Sequence, residues 1–108
     1  MKVGDSVRVK AGVTDPDLFF AIGGWQGRVR EIDGGGTVDI EWDSLTLQAM
    51  GIDLVIRCDN ANLDWRFMTL SQNEVEEVPS RDSEAKVAAT VRAITDEMLD
   101  DPRFDADG

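Results

Sequence analysis

Hydrophobic and polar residues alternate most clearly in the two segments that flank DGGG at positions 33–36. After this segment, TVDIEWDS sets three large hydrophobic side chains against three carboxylates, and GWQGRVREI before it has a similar period of two. Because glycine and aspartate tolerate the backbone angles of tight turns, we predict a hairpin of two strands, 25–32 and 37–43, with its turn centred on Gly34-Gly35. The facing pairs in this register are Gly27 with Trp42, Arg28 with Glu41, Val29 with Ile40, and Arg30 with Asp39.

Shorter alternating segments predict three more strands. KVGDSVRVK predicts a first strand at about residues 5–11, LDWRFMTL predicts a strand at about 66–70, and Val75 and Val78 indicate a short final strand after a polar turn. The segment 13–25, between the first strand and the hairpin, is irregular yet contains several large hydrophobic residues. A loop of this composition is expected to fold back and cover part of the sheet.

Two segments have helical rather than strand periodicity. Residues 52–60 predict a short helix inserted before the fourth strand, with asparagines at its end as a stop signal. Residues 83–99 predict a longer amphipathic helix, and Ser83 can cap its start. The hydrophobic stripe of the longer helix consists of Val87, Val91, Ile94 and Met98.

The residue types present exclude several kinds of chemistry. The 108-residue chain has no His and one Cys, so it cannot build a Ser-His-Asp triad, a Cys-His pair or a zinc site of thiolates and imidazoles. The single Cys58 can form no internal disulfide, which suits a reducing cytoplasm. No hydrophobic run approaches the ~20 residues that span a bilayer, and no signal peptide is expected. We therefore expect a cytoplasmic protein that is not an enzyme.

The charge of the chain narrows the choice of partner. With 11 basic and 22 acidic residues, the formal net charge is −11. Nucleic acids and anionic membranes are bound mainly through Lys and Arg, so both are disfavoured as partners. A basic protein surface or a divalent cation suits this charge, and acidity also serves solubility.

Several motifs resemble those of SH3-like barrels. GDSVRV at 4–9 followed by GWQGRVREI at 24–32 resembles the KOW-type opening of such barrels, and LSQNEVEEV at 70–78 is similar to the helical turn and last strand of SH3 domains. The layout is also similar to the barrels of electron-transport accessory proteins. The resemblance implies a five-stranded barrel. Binding of polyproline is not carried over because the chain has no Tyr, and binding of RNA is not carried over because the chain is acidic.

A set of small uncharacterised bacterial proteins has a still more similar pattern. Their sequences read GDxVRVK, GWQGRV, a hydrophobic residue before xWDS[LI]TL, and GLDWxxMxL. The corresponding segments here are 4–10, 24–29, 40–47 and 63–70. Asn62 stands where those proteins have glycine. The resemblance covers about residues 3–78, and it implies a fold but no established activity. Some of these proteins are described as calcium-binding.

Two groups of carboxylates are candidates for a metal site. Asp39, Glu41 and Asp43 lie about 6.5–7 Å apart along one strand, too far to close on one ion, and the predicted register gives two of them an arginine partner. We interpret this row as a solvated, ion-paired face and keep only Asp43 for a functional test. Calcium prefers clustered oxygen ligands, so loop carboxylates are the alternative. The loop candidates are Asp15, Asp17, Asp59 and Asp64.

Aromatic residues and the last helix are candidates for binding a partner. Tryptophan is a frequent anchor in protein interfaces, although it also fills small cores. The aromatic candidates are Phe19, Phe20, Trp25 and Trp65. The stripe of Val87, Val91, Ile94 and Met98 must also be buried, against its own barrel, a second copy or a partner.

These observations predict a mainly β fold with two parts. Residues 1–79 form a small five-stranded SH3-like barrel with a short inserted helix, and residues 80–108 form an acidic helical tail with a frayed end. The predicted function is a non-catalytic protein-interaction or accessory module that binds a protein partner or self-associates through the last helix. The alternative is a calcium-binding protein that uses loop carboxylates. No other cofactor is expected.

Overall fold

The computed structural model describes residues 1–103, which form a five-stranded antiparallel sheet and three α-helices. The strands are β1 (Ser6–Val9), β2 (Gln26–Ile32), β3 (Thr37–Trp42), β4 (Phe67–Ser71) and β5 (Val75–Glu77). The helices are α1 (Ser44–Met50), α2 (Ile52–Asn60) and α3 (Glu84–Asp100), and a 3₁₀ turn, Gln72–Glu74, joins β4 to β5. The predicted frayed end extends into residues 104–108, which lie outside the described residues.

The sheet is open rather than closed into a barrel. Its strands lie in the order β4-β3-β2-β1-β5, so β4 and β5 form opposite edges. The strands on the β5 side are short, with four residues in β1 and three in β5. The helices contain more residues than the strands. Five antiparallel strands are confirmed, whereas the closed barrel and the mainly β class are wrong: the fold mixes α and β.

The hairpin of β2 and β3 has the predicted register over most of its length. Gly27 faces Trp42, Arg28 faces Glu41 and Val29 faces Ile40, as predicted. A β-bulge then shifts the register, so that Glu31 rather than Arg30 faces Asp39. The predicted pairing of Arg30 with Asp39 is therefore wrong. The Arg30 guanidinium instead forms ion pairs with Glu41 and with Glu84 at the start of α3.

Gly27 allows β2 and β3 to approach each other closely beside Trp42. A Cβ atom at position 27 would lie 2.7 Å from Cγ2 of Ile40 and closer still to the carbonyl oxygen of Glu41. Real Cβ atoms do not approach so closely, so the residue at position 27 has to be glycine. Trp42 is 1% exposed, at the centre of the core.

The core lies between the sheet and the first two helices. From the sheet come buried residues such as Val29 and Ile40, and from the helices come Leu47 of α1 and Val55 of α2. Helix α2 spans the predicted residues 52–60. Helix α1 was not predicted. It begins after Asp43, whose carboxylate accepts the backbone N–H of Thr46 at 2.8 Å and so caps the helix.

Helix α3 packs against α1 and α2 of the same chain. Val87 and Met98 are buried in the common core, and Val91 and Ile94 are partly buried against it. The helix begins as predicted at Ser83, whose hydroxyl accepts the backbone N–H of Lys86. Among residues 1–103, no helix combines the length and hydrophobicity needed to cross a membrane.

The segment 79–83, which we call the linker, ties α3 to the sheet through buried charges. The Arg28 guanidinium donates to Oδ1 of Asp82 at 2.7 Å, and Oδ2 of Asp82 accepts the backbone N–H of Ser44 at 2.7 Å. Arg81 pairs with Asp43. Arg28 therefore pairs with the linker and not with the Glu41 that faces it. The proposed division into residues 1–79 and 80–108 stays a prediction.

Candidate functional site

The described surface contains a groove of about 600 Å³. Its walls come from the loop before β2, the end of α1, the helix α2, the segment before β4 and β4 itself. Cavities of this size are typical of binding sites. The residues that line this groove are Asp15, Pro16, Asp17, Phe20, Trp25, Arg30, Glu31, Asp39, Trp42, Met50, Leu54, Cys58, Leu63, Asp64, Trp65, Phe67, Met68 and Thr69.

Aromatic rings form much of the hydrophobic surface of the groove. All three tryptophans of the chain line it. The ring of Trp25 lies 5.6 Å from that of Phe20 and 5.1 Å from that of Trp42, and it meets Trp42 edge to face. These contacts hold the rings in place, because edge-to-face pairs are favourable and directional. The groove therefore presents a hydrophobic wall with little freedom to collapse.

The loop beside the groove is organised by a buried carboxylate. Asp15 is 3% exposed, and its Oδ2 accepts the backbone N–H groups of Asp17 and Leu18. Its own backbone pairs with Phe20 and Phe19. Phe19 has a φ of 61° and is 77% exposed. A positive φ is unfavourable for a phenylalanine, so the surrounding loop contacts must offset this strain.

The charge of the groove is predominantly negative. Five carboxylates line it, against one arginine, Arg30, which Glu41 and Glu84 neutralise. Asp17 and Glu31 are exposed, and among the described residues neither carboxylate accepts a hydrogen bond or forms an ion pair. A cationic group entering the groove would therefore meet free carboxylates.

The loop carboxylates proposed as calcium ligands are not gathered into one cluster among the described residues. Among residues 1–103, no group of three or more Asp, Glu or Cys side chains is arranged to hold a metal ion. Asp15 is occupied by backbone N–H groups, as described above. Asp64 pairs with Arg66 at 3.1 Å. Burial acts to raise the pKa of Asp64, but the hydrogen bonds from Arg66 outweigh it and lower the pKa. The other two calcium candidates are Asp17, which is exposed, and Asp59, which belongs to α2.

The acidic row on β3 has three separate structural roles. Asp39 accepts the hydroxyl of Thr69 on the neighbouring strand, and Glu41 pairs with Arg30. Asp43, which we kept for a functional test, is 4% exposed and bound by Thr46 and Arg81. Nothing in this arrangement leaves Asp43 free for an incoming ligand.

The two sets of partner-binding candidates lie in different places. Phe20, Trp25 and Trp65 line the groove, with Phe19 exposed beside it. The hydrophobic stripe of α3 instead faces α1 and α2 and adds no residue to the groove lining. Self-association through this stripe would require α3 to leave its own helices.

Cys58 also lines the groove, but it is not a poised nucleophile. Burial raises the pKa of the Cys58 thiol, and the negative charge of Asp15 raises it further. The reactive thiolate is therefore disfavoured. The sequence contains no His to act as its base.

Sequence reasoning missed the helical wall of the groove. Met50, Leu54, Leu63 and Met68 were not chosen as site residues. Met50 and Leu54 belong to α1 and α2, which lie on either side of Gly51. The sequence signal for the part that α1 contributes was the capping residue Asp43 followed by SLTLQAM, which marks the start of the helix that carries Met50.

Comparisons with protein-family models, curated proteins and solved structures found no match to this chain. The resemblance of its motifs to those of SH3-like proteins therefore stays a prediction.

Proposed function

We propose that this protein is a non-catalytic interaction module that binds a segment of a partner protein in the groove. The observation that carries this proposal is a hydrophobic groove of about 600 Å³ that contains every tryptophan of the chain beside the exposed Phe19. Interfaces are anchored by aromatic residues set in well-packed surroundings. A large hydrophobic side chain of the partner is the natural occupant.

The charge of the groove supports a basic partner. Asp17, Glu31 and Asp39 surround the hydrophobic surface, and the whole chain has a net charge of −11. Complementary charge speeds encounter and rejects acidic competitors. The same charge disfavours nucleic acids, because their phosphates would be repelled.

The proposal of a binding role rather than catalysis rests on the residue types available. The chain has no His, and its one Cys is buried with a raised pKa. The chain therefore has no imidazole to activate a nucleophile, which favours a binding role. A free, buried thiol also suits our proposal of a cytoplasmic location, where thiols stay reduced. No observation favours calcium binding as a second function.

Selection of random-sequence peptides on the immobilised protein tests this function. We expect enriched peptides with a large hydrophobic residue next to Lys or Arg. Leu54→Trp, which fills part of the groove, should weaken their binding at least about tenfold in calorimetric titrations. Leu45→Trp is the matched control, because Leu45 is 44% exposed on α1 and does not line the groove.

Two results would contradict the proposal. One is a selection that enriches no peptide above background. The other is a set of peptides that bind wild type and Leu54→Trp equally, which would place their site elsewhere. Circular dichroism of both variants shows whether each remains folded.

A further inference from the structure

We infer that the partner segment binds as an extended strand added to the free edge of β4, with its hydrophobic and cationic residues alternating. This inference rests on the proposed function and specifies how the groove is used. Addition of a strand to a sheet edge is a common mode of peptide recognition, in which main-chain hydrogen bonds give affinity and side-chain pockets give specificity.

The hydrogen-bond pattern shows which groups of β4 are free. Trp42 donates to the carbonyl of Arg66, and Gln72 donates to the carbonyl of Gly36, both at 2.9 Å. In an antiparallel pair, alternate residues bond to the neighbour, so the even-numbered residues of β4 bond to β3 and the odd-numbered residues face away.

Thr69 lies at the centre of this free edge. The outward N–H groups on either side are used locally, because Phe67 donates to the carbonyl of Asp64 and Ser71 donates to the carboxylate of Glu74. Among the described residues, none bonds the backbone N–H or carbonyl of Thr69. Thr69 is exposed, and Phe67, Met68 and Thr69 all line the groove. The backbone N–H and carbonyl of Thr69 are thus available in the groove for hydrogen bonds to an added strand.

The two edges of the sheet differ in their protection. Proteins usually guard exposed edges with charges, prolines or very short strands. β5 has three residues, two of them glutamates, whereas β4 has the sequence FMTLS, with no charge and no proline. β4 is therefore the edge open to an added strand.

The rows of side chains across the sheet define the sequence of the added strand. Glu31 faces Asp39, and Asp39 faces Thr69, so a residue placed opposite Thr69 extends a row that contains two carboxylates. The adjacent row, Ile40 with Met68, is hydrophobic. Because side chains alternate between faces along a strand, cationic and hydrophobic residues should alternate in the partner.

A synthetic peptide of alternating valine and lysine tests this inference. We expect it to bind the wild-type protein, and we expect amide exchange at Thr69 to slow at least about tenfold when the peptide is bound. N-methylation of the peptide residues that bond to β4 should abolish binding, whereas N-methylation of the alternate residues should not. A peptide of alternating valine and glutamate should bind at least about tenfold more weakly.

Two protein variants separate the main chain of Thr69 from its side chain. Thr69→Pro removes the outward N–H and should therefore abolish peptide binding. The variant is expected to fold, because proline is tolerated at sheet edges. Thr69→Val keeps the N–H and removes only the hydroxyl, so it should still bind the peptide, unlike Thr69→Pro. The exchange measurement on the wild type gives an answer even if Thr69→Pro fails to fold.

The outcomes for the two proposals are distinct. If the alternating valine–lysine peptide does not bind, or if it binds with both methylation patterns and leaves Thr69 exchange unchanged, strand addition is wrong. Groove binding by selected peptides would still support the proposed function. If Leu54→Trp leaves the binding of those selected peptides unchanged, the proposed function itself fails.

Discussion

Arg81 holds the buried carboxylate of Asp43 with two hydrogen bonds, from Nε to Oδ2 at 2.7 Å and from Nη2 to Oδ1 at 3.0 Å. The same Arg81 also donates to the hydroxyl of Thr46. The cap of α1 and the linker that leads to α3 therefore share one ion pair, and the folding of either helix depends on the other.

Replacing Arg81 tests the strength of this link. Arg81→Ala leaves Asp43 buried without its cation, so we expect the free energy of unfolding to fall by about 2–3 kcal/mol in urea titrations. Arg8→Ala is the control, because it breaks the exposed Arg8–Glu76 pair and should cost about 0.5 kcal/mol or less. Similar losses in both variants would mean that the Asp43 pair has no special role.

Asp82 makes part of the stability dependent on pH. Burial acts to raise the pKa of Asp82, but hydrogen bonds from Ser44 and the charge of Arg28 outweigh it and lower the pKa below the ordinary 3.8. Because the pKa is lower in the folded state, this stabilisation is fully present above pH 3.8 and is lost as the pH falls through the folded-state value.

We therefore expect Asp82→Asn to lower the free energy of unfolding by about 2 kcal/mol at pH 7, and the deficit to shrink below pH 3.8. Urea titrations at about pH 7 and below pH 3.8 measure this deficit. Glu97→Gln removes one charge from the exposed face of α3 and is the control. Asp side chains titrate over a range that reaches down to about pH 2–3. A deficit that stays constant over this range would contradict the assignment of the stabilisation to the Asp82 carboxylate.

Gly27→Ala tests the close approach of β2 to β3. The added Cβ would collide with Ile40 and with the backbone of Glu41, so we expect a loss of about 3 kcal/mol or more, measured by thermal and urea unfolding. Gly34→Ala is the matched control, because nothing lies within 4 Å of the added Cβ and the change should be within about 0.5 kcal/mol. Equal effects would refute the packing argument.

Met98 and Leu99 are neighbours on α3 with opposite exposure. Met98 is 6% exposed and Leu99 is 56% exposed. Met98→Ala should cost about 2 kcal/mol or more because it leaves a cavity in the core, whereas Leu99→Ala should cost less than about 0.5 kcal/mol. Urea titration of both variants decides between α3 as part of the core and α3 as a detachable tail. Deleting residues 83–108 should likewise destabilise the rest of the chain.

Local periodicity explains what could be predicted from the sequence. The hairpin of β2 and β3, the helix α2 and the start of α3 at Ser83 follow from alternation, helical spacing and capping, each of which lies within a few residues. The register near Gly27 matches the prediction only because the bulge after Val29 offsets a one-residue shift at the turn, where Ile32 faces Val38. Part of the aromatic lining of the groove was also accessible from the sequence, because Phe20 and Trp25 belong to the hydrophobic loop before β2.

The remaining features depend on residues far apart in the sequence. The bulge at Arg30 accompanies its ion pair with Glu84, and Arg28 finds Asp82 rather than its facing Glu41; each pair is separated by 54 residues. Helix α1 was missed because Asp43 was assigned to the end of a strand instead of to a helix cap.

The position of the linker has a consequence for the synthesis of the chain. When β2 and β3 have left the ribosome, the partners of Arg28 and Asp43 have not yet emerged, because they follow 54 and 38 residues later. β1 likewise waits for β5 to cover its outer edge. A nascent chain therefore holds an arginine and an aspartate without their counter-ions until the last helix begins to emerge. We therefore expect the fold to be completed late in synthesis. Before that point the nascent chain is exposed to chaperones, and it becomes stable only afterwards.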